Sequence, residues 1–153
     1  MIIFRKARPG ELKVIKSILE EVKLMTEGIE QHLDNFMVAE ERGTILATGG
    51  LEIYDDVAIL RSVAVLPEFR HQRIGDGLVR ALINYAERRG IKNIFLFTKD
   101  AVPFFEKIGF QVVDLKELDE KCTSSLQVNT CSRSAILMKL NVKDFFHNIK
   151  CRK

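Results

Sequence analysis

The chain has 153 residues, a usual length for one domain, and we expect a single domain over 1–153 with 142–153 as a C-terminal tail. A composition of 46% hydrophobic and 29% charged residues excludes wholesale disorder and any collagen-like class. The formal net charge of +3 is too small to predict a nucleic-acid partner.

The predicted elements begin with a short strand over 2–4 and a helix that opens at 9–11. The apolar face of this helix consists of Leu12, Ile15, Ile18, Leu19 and Val22, which recur at helical spacing. Residues 25–35 are polar and irregular, which predicts a loop.

Three strands are predicted next. They cover 36–39, 44–54 with an interruption at Gly49-Gly50, and 58–65. Because short turns join them, we expect an antiparallel meander.

Beyond Pro67 the apolar spacing becomes that of an amphipathic helix, which ends at Gly90. The remaining predicted elements are a strand over 94–97, a helix over 101–108, and strands over 110–113 and 135–138. A meander that leads into a β-α-β unit predicts a mixed sheet with helices packed against it.

Short apolar runs argue against a membrane segment. The longest, such as 63–66, fall far below the roughly 18 residues of a membrane helix. The start of the chain is charged too soon for a signal peptide, so we expect a cytoplasmic protein with no membrane partner. An odd number of cysteines argues against a disulfide framework, and scattered histidines argue against a metal site.

The segment 65–77 joins a predicted strand to the N-terminus of the amphipathic helix. Free backbone N–H groups and the positive end of the helix dipole converge there, which suits a phosphate or pyrophosphate. Arg70, His71 and Arg73 add positive charge. A capped strand–helix connection with surface arginines explains the same pattern equally well, because a short Gly-x-Gly is a weak signal.

The pattern Val65-x-Pro67-x-x-Arg70-x-x-Arg73-x-Gly75 resembles motif A of the GNAT acetyltransferases. In that family the amides of the loop hold the pyrophosphate of acetyl-CoA, and the preceding strand lines the pantetheine arm. Arg73 stands where the first glycine of the motif normally stands, so its side chain must point away from the phosphates or lie alongside them. The resemblance implies cofactor contacts at Val63, Ala64, Val65, Arg70, His71, Gln72, Arg73, Ile74, Gly75, Asp76, Gly77, Thr98 and Phe105.

Residues 98–110 resemble motif B of the same family, a strand–helix–Gly-Phe element. Many members carry Asn at the position of Thr98 and Tyr at the position of Phe105. The pattern found here is instead similar to the acetyltransferase domain of N-acetylglutamate synthases and to the arsenic-resistance N-acetyltransferases. Three further segments resemble this subgroup: 50–54, 60–65 and 131–139.

The resemblance covers about 36–140 and implies an α/β (α+β) fold. Its sheet would be mixed and mostly antiparallel, with about six to seven strands and helices on both faces. The implied activity is direct transfer of acetyl from acetyl-CoA to the primary amine of a small amino-acid-like substrate. A homodimer is left open. Two alternatives remain: a protein or peptide acetyltransferase, and a non-catalytic acyl-CoA-binding module.

Three residues are candidates for contact with the acceptor. Glu52 is the candidate base, because it follows two glycines that permit close backbone approach beside the acetyl-binding strand. Arg61 is placed to bind a substrate carboxylate bidentately, and Arg133 is a further candidate for that role. A turn at Asp55-Asp56 would bring Arg61 roughly opposite 50–52 on the neighbouring strand. The plainer readings are a surface carboxylate, a strand-face salt bridge and a solvated turn residue. No general acid is assigned, because a thiolate is a fair leaving group.

Overall fold

The computed structural model describes residues 1–131 and 134–151. The strands in this part of the chain are β1 Ile3–Lys6, β2 Phe36–Glu41, β3 Thr44–Tyr54, β4 Val57–Val65, β5 Asn93–Thr98, β6 Gln111–Val112 and β7 Ile136–Asn141. The α-helices are α1 Leu12–Glu21, α2 Ile29–His32, α3 Ile74–Arg88, α4 Val102–Ile108, α5 Leu126–Cys131 and α6 Val142–Cys151. Within the described residues, no helix is both long enough and apolar enough to cross a membrane.

The seven strands form one sheet in the order β1-β2-β3-β4-β5-β7-β6. β2 pairs with β1 and β3 in antiparallel register, and β7 pairs in the same way with β5 and β6. β4 and β5 pair in parallel, and α3 lies between these two strands in the chain. A parallel pair needs such a crossover connection, so the predicted β-α-β unit is confirmed. The consecutive order β2-β3-β4 in the sheet agrees with the predicted meander.

The chain forms two compact units, the first from 1–52 and 60–82, the second from 53–59 and the described residues after 82. In the first unit, α1 packs on β2 and β4. The buried core there consists of Ile15, Ile18, Leu19, Ile29, Phe36, Val38 and Ala64. The remaining predicted α1 residues, Leu12 and Val22, are half-buried against this core. The expectation of a single domain stays a prediction.

Gly49 and Gly50 show that helices cover both faces of the sheet in the first unit. A Cβ at Gly49 would lie 3.0 Å from Leu82 Cδ1 of α3, whereas a Cβ at Gly50 would overlap the ring of Phe36 in the α1 core. Consecutive strand residues point to opposite faces, so α3 and α1 lie on opposite sides of β3. The glycines do not interrupt the strand as expected, because Thr44–Tyr54 is continuous.

The second unit has a core of its own beneath the β5–β7 pair. It consists of Val57, Ile59, Phe95, Cys122 and Leu137. Cys122 is fully buried, whereas Cys131 is partly exposed, and neither of these two cysteines forms a disulfide. Burial in an apolar cluster indicates that Cys122 serves as a small packing residue.

The prediction of a loop over 25–35 is wrong, and the segment expected to be a C-terminal tail also contains a helix. The predicted loop over 25–35 contains α2, whose Ile29 is fully buried in the α1 core. The predicted C-terminal tail over 142–153 contains α6, because Val142 and Phe145 are buried. One apolar residue among polar neighbours fixes α2 through tertiary packing, which sequence periodicity does not register. In α6, Val142, Phe145 and Phe146 recur at helical spacing, so the sequence does carry a helical signal there.

Candidate active site

The loop between β4 and α3 has the shape expected of an anion site. It contains a 3-10 turn at Pro67–Phe69 and then two non-glycine residues in the left-handed region, His71 at φ 68° and Arg73 at φ 62°. Left-handed Arg73 is followed directly by helical Ile74, and such alternation directs successive N–H groups into one concavity. The first N–H groups of an α-helix also lack intrahelical acceptors.

Arg73 adopts a backbone conformation that favours glycine. For an L-residue the left-handed region costs about 1–2 kcal/mol. This is a physical reason for the glycine usually found at this position of the GNAT motif. Arg73 therefore carries backbone strain, and its side chain adds a guanidinium at the start of α3.

Charges at this helix start are partly balanced. Asp76 lies in the first turn of α3 and accepts a hydrogen bond from Nε of Arg80 at 3.0 Å. The side chain of Arg70 folds back, so that its Nε donates to the carbonyl of Val65 at 3.3 Å. The Arg80 partner reduces the repulsion that Asp76 would exert on a bound anion.

A left-handed residue also occurs inside strand β4. Ser62 has φ 60°. Val63 lies beside Gly49 on the α3 side, whereas Ala64 packs in the α1 core. Arg61 bonds to residues of the α1 side, so Arg61 and Ala64 share a face although they are three residues apart. The alternation of β4 is therefore shifted by one residue at Ser62, as in a β-bulge.

Glu52 and Arg61 form a buried ion pair on this face. Nη1 of Arg61 donates to Oε2 of Glu52 at 2.9 Å, and the two side chains are 0% and 1% exposed. Nε of Arg61 donates to the hydroxyl of Ser62 at 2.9 Å, and Nη2 donates to the carbonyl of Met25 at 3.4 Å. One guanidinium thus links β3, the left-handed residue of β4 and the loop after α1.

This arrangement favours the interpretation that Arg61 forms a structural salt bridge within the sheet. The sequence correctly placed Glu52 and Arg61 close together, but it expected an accessible base and an accessible clamp. Close approach at Gly50 is explained by the ring of Phe36 and not by a ligand. The catalytic role of Glu52 and the substrate contact of Arg61 stay predictions.

His32, at the end of α2, is a neighbour of the pair that the sequence did not single out. Burial lowers the pKa of its imidazole, the charge of Arg61 lowers that pKa further, and the charge of Glu52 opposes both effects. A neutral imidazole therefore lies near the ion pair. The sequence carries no clear signal for this position, because the helix that ends at His32 is fixed by one buried apolar residue, Ile29.

Thr98 and Phe105 belong to the second unit. The hydroxyl of Thr98 accepts a hydrogen bond from the backbone N–H of Ala101 at 3.0 Å, immediately before α4. The ring of Phe105 is buried and packs edge-on against Phe104 and Phe110. Both residues thus have clear packing roles, and their contact with acetyl-CoA stays a prediction. Arg133 lies outside the described residues.

Residues 11–110 match the sequence model of the acetyltransferase (GNAT) family. The match covers most of the chain, which therefore belongs to the GNAT acetyltransferase family.

Among curated proteins, the chain is similar to the amino-acid acetyltransferase of Pasteurella multocida, with 29% identity over 86% of this chain and 30% of that protein. An uncharacterized N-acetyltransferase of Chlorobaculum tepidum is 27% identical over 89% of this chain and 95% of its own length. The chain thus spans about a third or less of the amino-acid acetyltransferases it matches, but nearly all of the second relative.

Solved structures share the fold. N-acetylglutamate synthase from Neisseria gonorrhoeae, complexed with coenzyme A and N-acetyl-glutamate, has a TM-score of 0.80 at 22% identity, over 93% of this chain and 35% of that one. A Mycobacterium tuberculosis protein in complex with CoA has a TM-score of 0.76 at 21% identity, over 91% and 98% of the two chains. At these identities the likeness establishes the fold alone, and it confirms the predicted GNAT architecture.

Proposed function

We propose that this chain is an acetyl-CoA-dependent N-acetyltransferase that acts on the primary amine of a small amino-acid-like substrate. Family membership supports the acetyl transfer, and the curated amino-acid acetyltransferases among its relatives support the substrate class. The observation that carries the proposal is the loop before α3, with left-handed His71 and Arg73 leading into a helix N-terminus.

Acetyl-CoA would be held at its pyrophosphate by the backbone of this loop. The N–H groups of Ile74, Gly75 and Asp76 are in the first turn of a 15-residue helix, where the dipole favours an anion. Arg73 adds a positive charge at the same place. The donor set suits a diphosphate, because backbone N–H groups and a guanidinium both bind phosphate oxygens.

The thioester of acetyl-CoA supplies the activated acyl group. The amine nitrogen attacks its carbonyl carbon, the C–N bond forms, the C–S bond breaks, and the amine loses one proton. The amine must be neutral to attack, so a proton acceptor or water has to take that proton. The sequence predicts Glu52 as this acceptor, but its carboxylate is 1% exposed and paired with Arg61. His32 is a described side chain near the pair that can hold a proton.

Binding and turnover can be tested separately. A rise in melting temperature with added CoA reports binding. Release of the CoA thiol is then measured with a panel of free amino acids, their amides and short peptides. A blank without amine is subtracted, because the partly exposed Cys131 also gives a thiol signal. Turnover of free amino acids supports the proposal. Turnover of peptides alone indicates a peptide acetyltransferase, and binding without turnover indicates an acyl-CoA-binding module.

A further inference from the structure

The backbone of Ser62 is in a strained conformation that contacts with other residues must stabilise. It is a non-glycine residue at φ 60° inside β4, flanked by residues of extended strand. Such a conformation persists when surrounding contacts over-determine it. The contact found here is the hydrogen bond from Nε of Arg61 to the hydroxyl of Ser62 at 2.9 Å.

Arg61 is itself fixed from two other sides. Its Nη1 bonds to Glu52 on β3 and its Nη2 to the carbonyl of Met25, so its three nitrogens have three different partners. A planar guanidinium can hold such a set in one geometry, whereas the single ammonium of lysine cannot. The shift at Ser62 sets the direction of Val63, Ala64 and Val65, the strand residues predicted to line the pantetheine arm.

We propose that Arg61 and Glu52 are positioning residues, which hold the left-handed bulge at Ser62 and the loop at Met25 so that the end of β4 is correctly placed for acetyl transfer. This proposal rests on the proposed function for its catalytic part. Neither side chain touches the acceptor, since their exposures are 0% and 1% and a substrate carboxylate would have to displace an existing buried partner.

Two substitutions at one position give the sharpest test. Ser62→Ala and Ser62→Gly both remove the hydroxyl, but only glycine adopts φ 60° without strain. At an ordinary strand position, a protein with glycine is less stable than the same protein with alanine. We therefore expect the reverse order at residue 62. The Ser62→Gly variant should have a higher melting temperature than Ser62→Ala and a kcat about tenfold higher than that of Ser62→Ala. Ala58→Gly and Ala58→Ser, elsewhere in β4, are the matched controls for the ordinary order.

Arg61→Lys tests the positioning role without leaving Glu52 as an unpaired buried charge. We expect kcat to fall about tenfold or more while KM for the amine changes less than about threefold. Adding Ser62→Gly should restore most of the lost kcat, because the bulge then needs no support. Arg5→Lys is the control for general loss of stability, since Arg5 also bonds two carboxylates, those of Glu11 and Glu40.

The outcomes separate the two proposals. If Arg61→Lys raises KM for the amine with kcat intact, and Ser62→Gly restores nothing, Arg61 contacts the substrate and the positioning role is wrong. If Ser62→Ala melts above Ser62→Gly, the strained bulge is wrong whatever the enzyme turns over. If the melting order holds but no amine is acetylated, the structural role stands and the proposed function fails.

Discussion

The ring of Phe36 lies against the backbone of Gly50, its direct partner on the neighbouring strand, and fills the space that a side chain at residue 50 would need. Phe36 is fully buried, so its ring has nowhere to move without disturbing the core around α1. A strand glycine here serves an aromatic neighbour and not a ligand.

Gly50→Ala should therefore destabilise the protein by about 1–3 kcal/mol, the usual range for overpacking a filled core. Chemical denaturation measures the change. Gly10→Ala is the control, because a Cβ there would meet nothing within 4 Å. Phe36→Leu should recover part of the loss when combined with Gly50→Ala, and an additive double variant would contradict the contact.

Arg73→Gly should leave the protein as stable as the natural chain or raise its stability by up to about 1 kcal/mol. Relief of the left-handed strain is worth about 1–2 kcal/mol, and the greater freedom of glycine in the unfolded chain offsets about half of it. Arg70→Gly is the matched control, since Arg70 has φ −69° and gains no relief. Equal losses in both variants would show that the conformation of Arg73 carries no strain.

Gly75→Val should weaken CoA binding by about tenfold or more, which corresponds to about 1.4 kcal/mol. The bulky, branched side chain would crowd the first turn of α3, where the pyrophosphate is proposed to lie. Calorimetric titration with CoA measures the affinity, and Gly10→Val controls for the introduction of valine. Unchanged affinity would remove this loop as the phosphate site.

The pH dependence of stability should carry a contribution from His32. Its folded pKa is lowered by burial, so the unfolded chain takes up the proton first as pH falls below the ordinary histidine value of 6.5. Stability is thus lost between that value and the lower folded pKa, and is unaffected above it. His32→Gln should flatten this part of the profile in denaturant titrations from pH 8 to pH 5. A profile identical to that of the natural chain would show that His32 titrates normally.

The sequence predicted the strands and long helices because each has a clear apolar period. The sequence did not predict α2, since this helix depends on the single buried Ile29 and not on a repeated pattern. The strand–loop–helix order around the loop before α3 was predictable from Pro67 and from the apolar period that follows it. Phosphate binding by this loop stays a prediction. The comparison with motif A also singled out position 73, because arginine replaces the usual glycine there.

The Glu52–Arg61 pair shows a different limit. The turn at 55–56 allowed the sequence to place the two residues opposite each other, but not to show that they would be buried together. Their burial depends on Met25 and on the shift at Ser62, and neither has a local sequence signal. Charged residues near a predicted site are therefore ambiguous until their partners are known.

The partnership of Asp76 with Arg80 has a consequence for the ionic conditions of binding. Both side chains are well exposed, at 40% and 38%, so dissolved salt screens their attraction. The same ions also screen the attraction between the basic loop and a diphosphate. Salt also screens the repulsion that Asp76 exerts on an anion, so occupancy of the loop should decline with ionic strength less steeply than the charges of Arg70 and Arg73 alone would cause. Asp76 in the first turn of α3 should thus moderate the salt dependence of the coenzyme binding proposed for this loop.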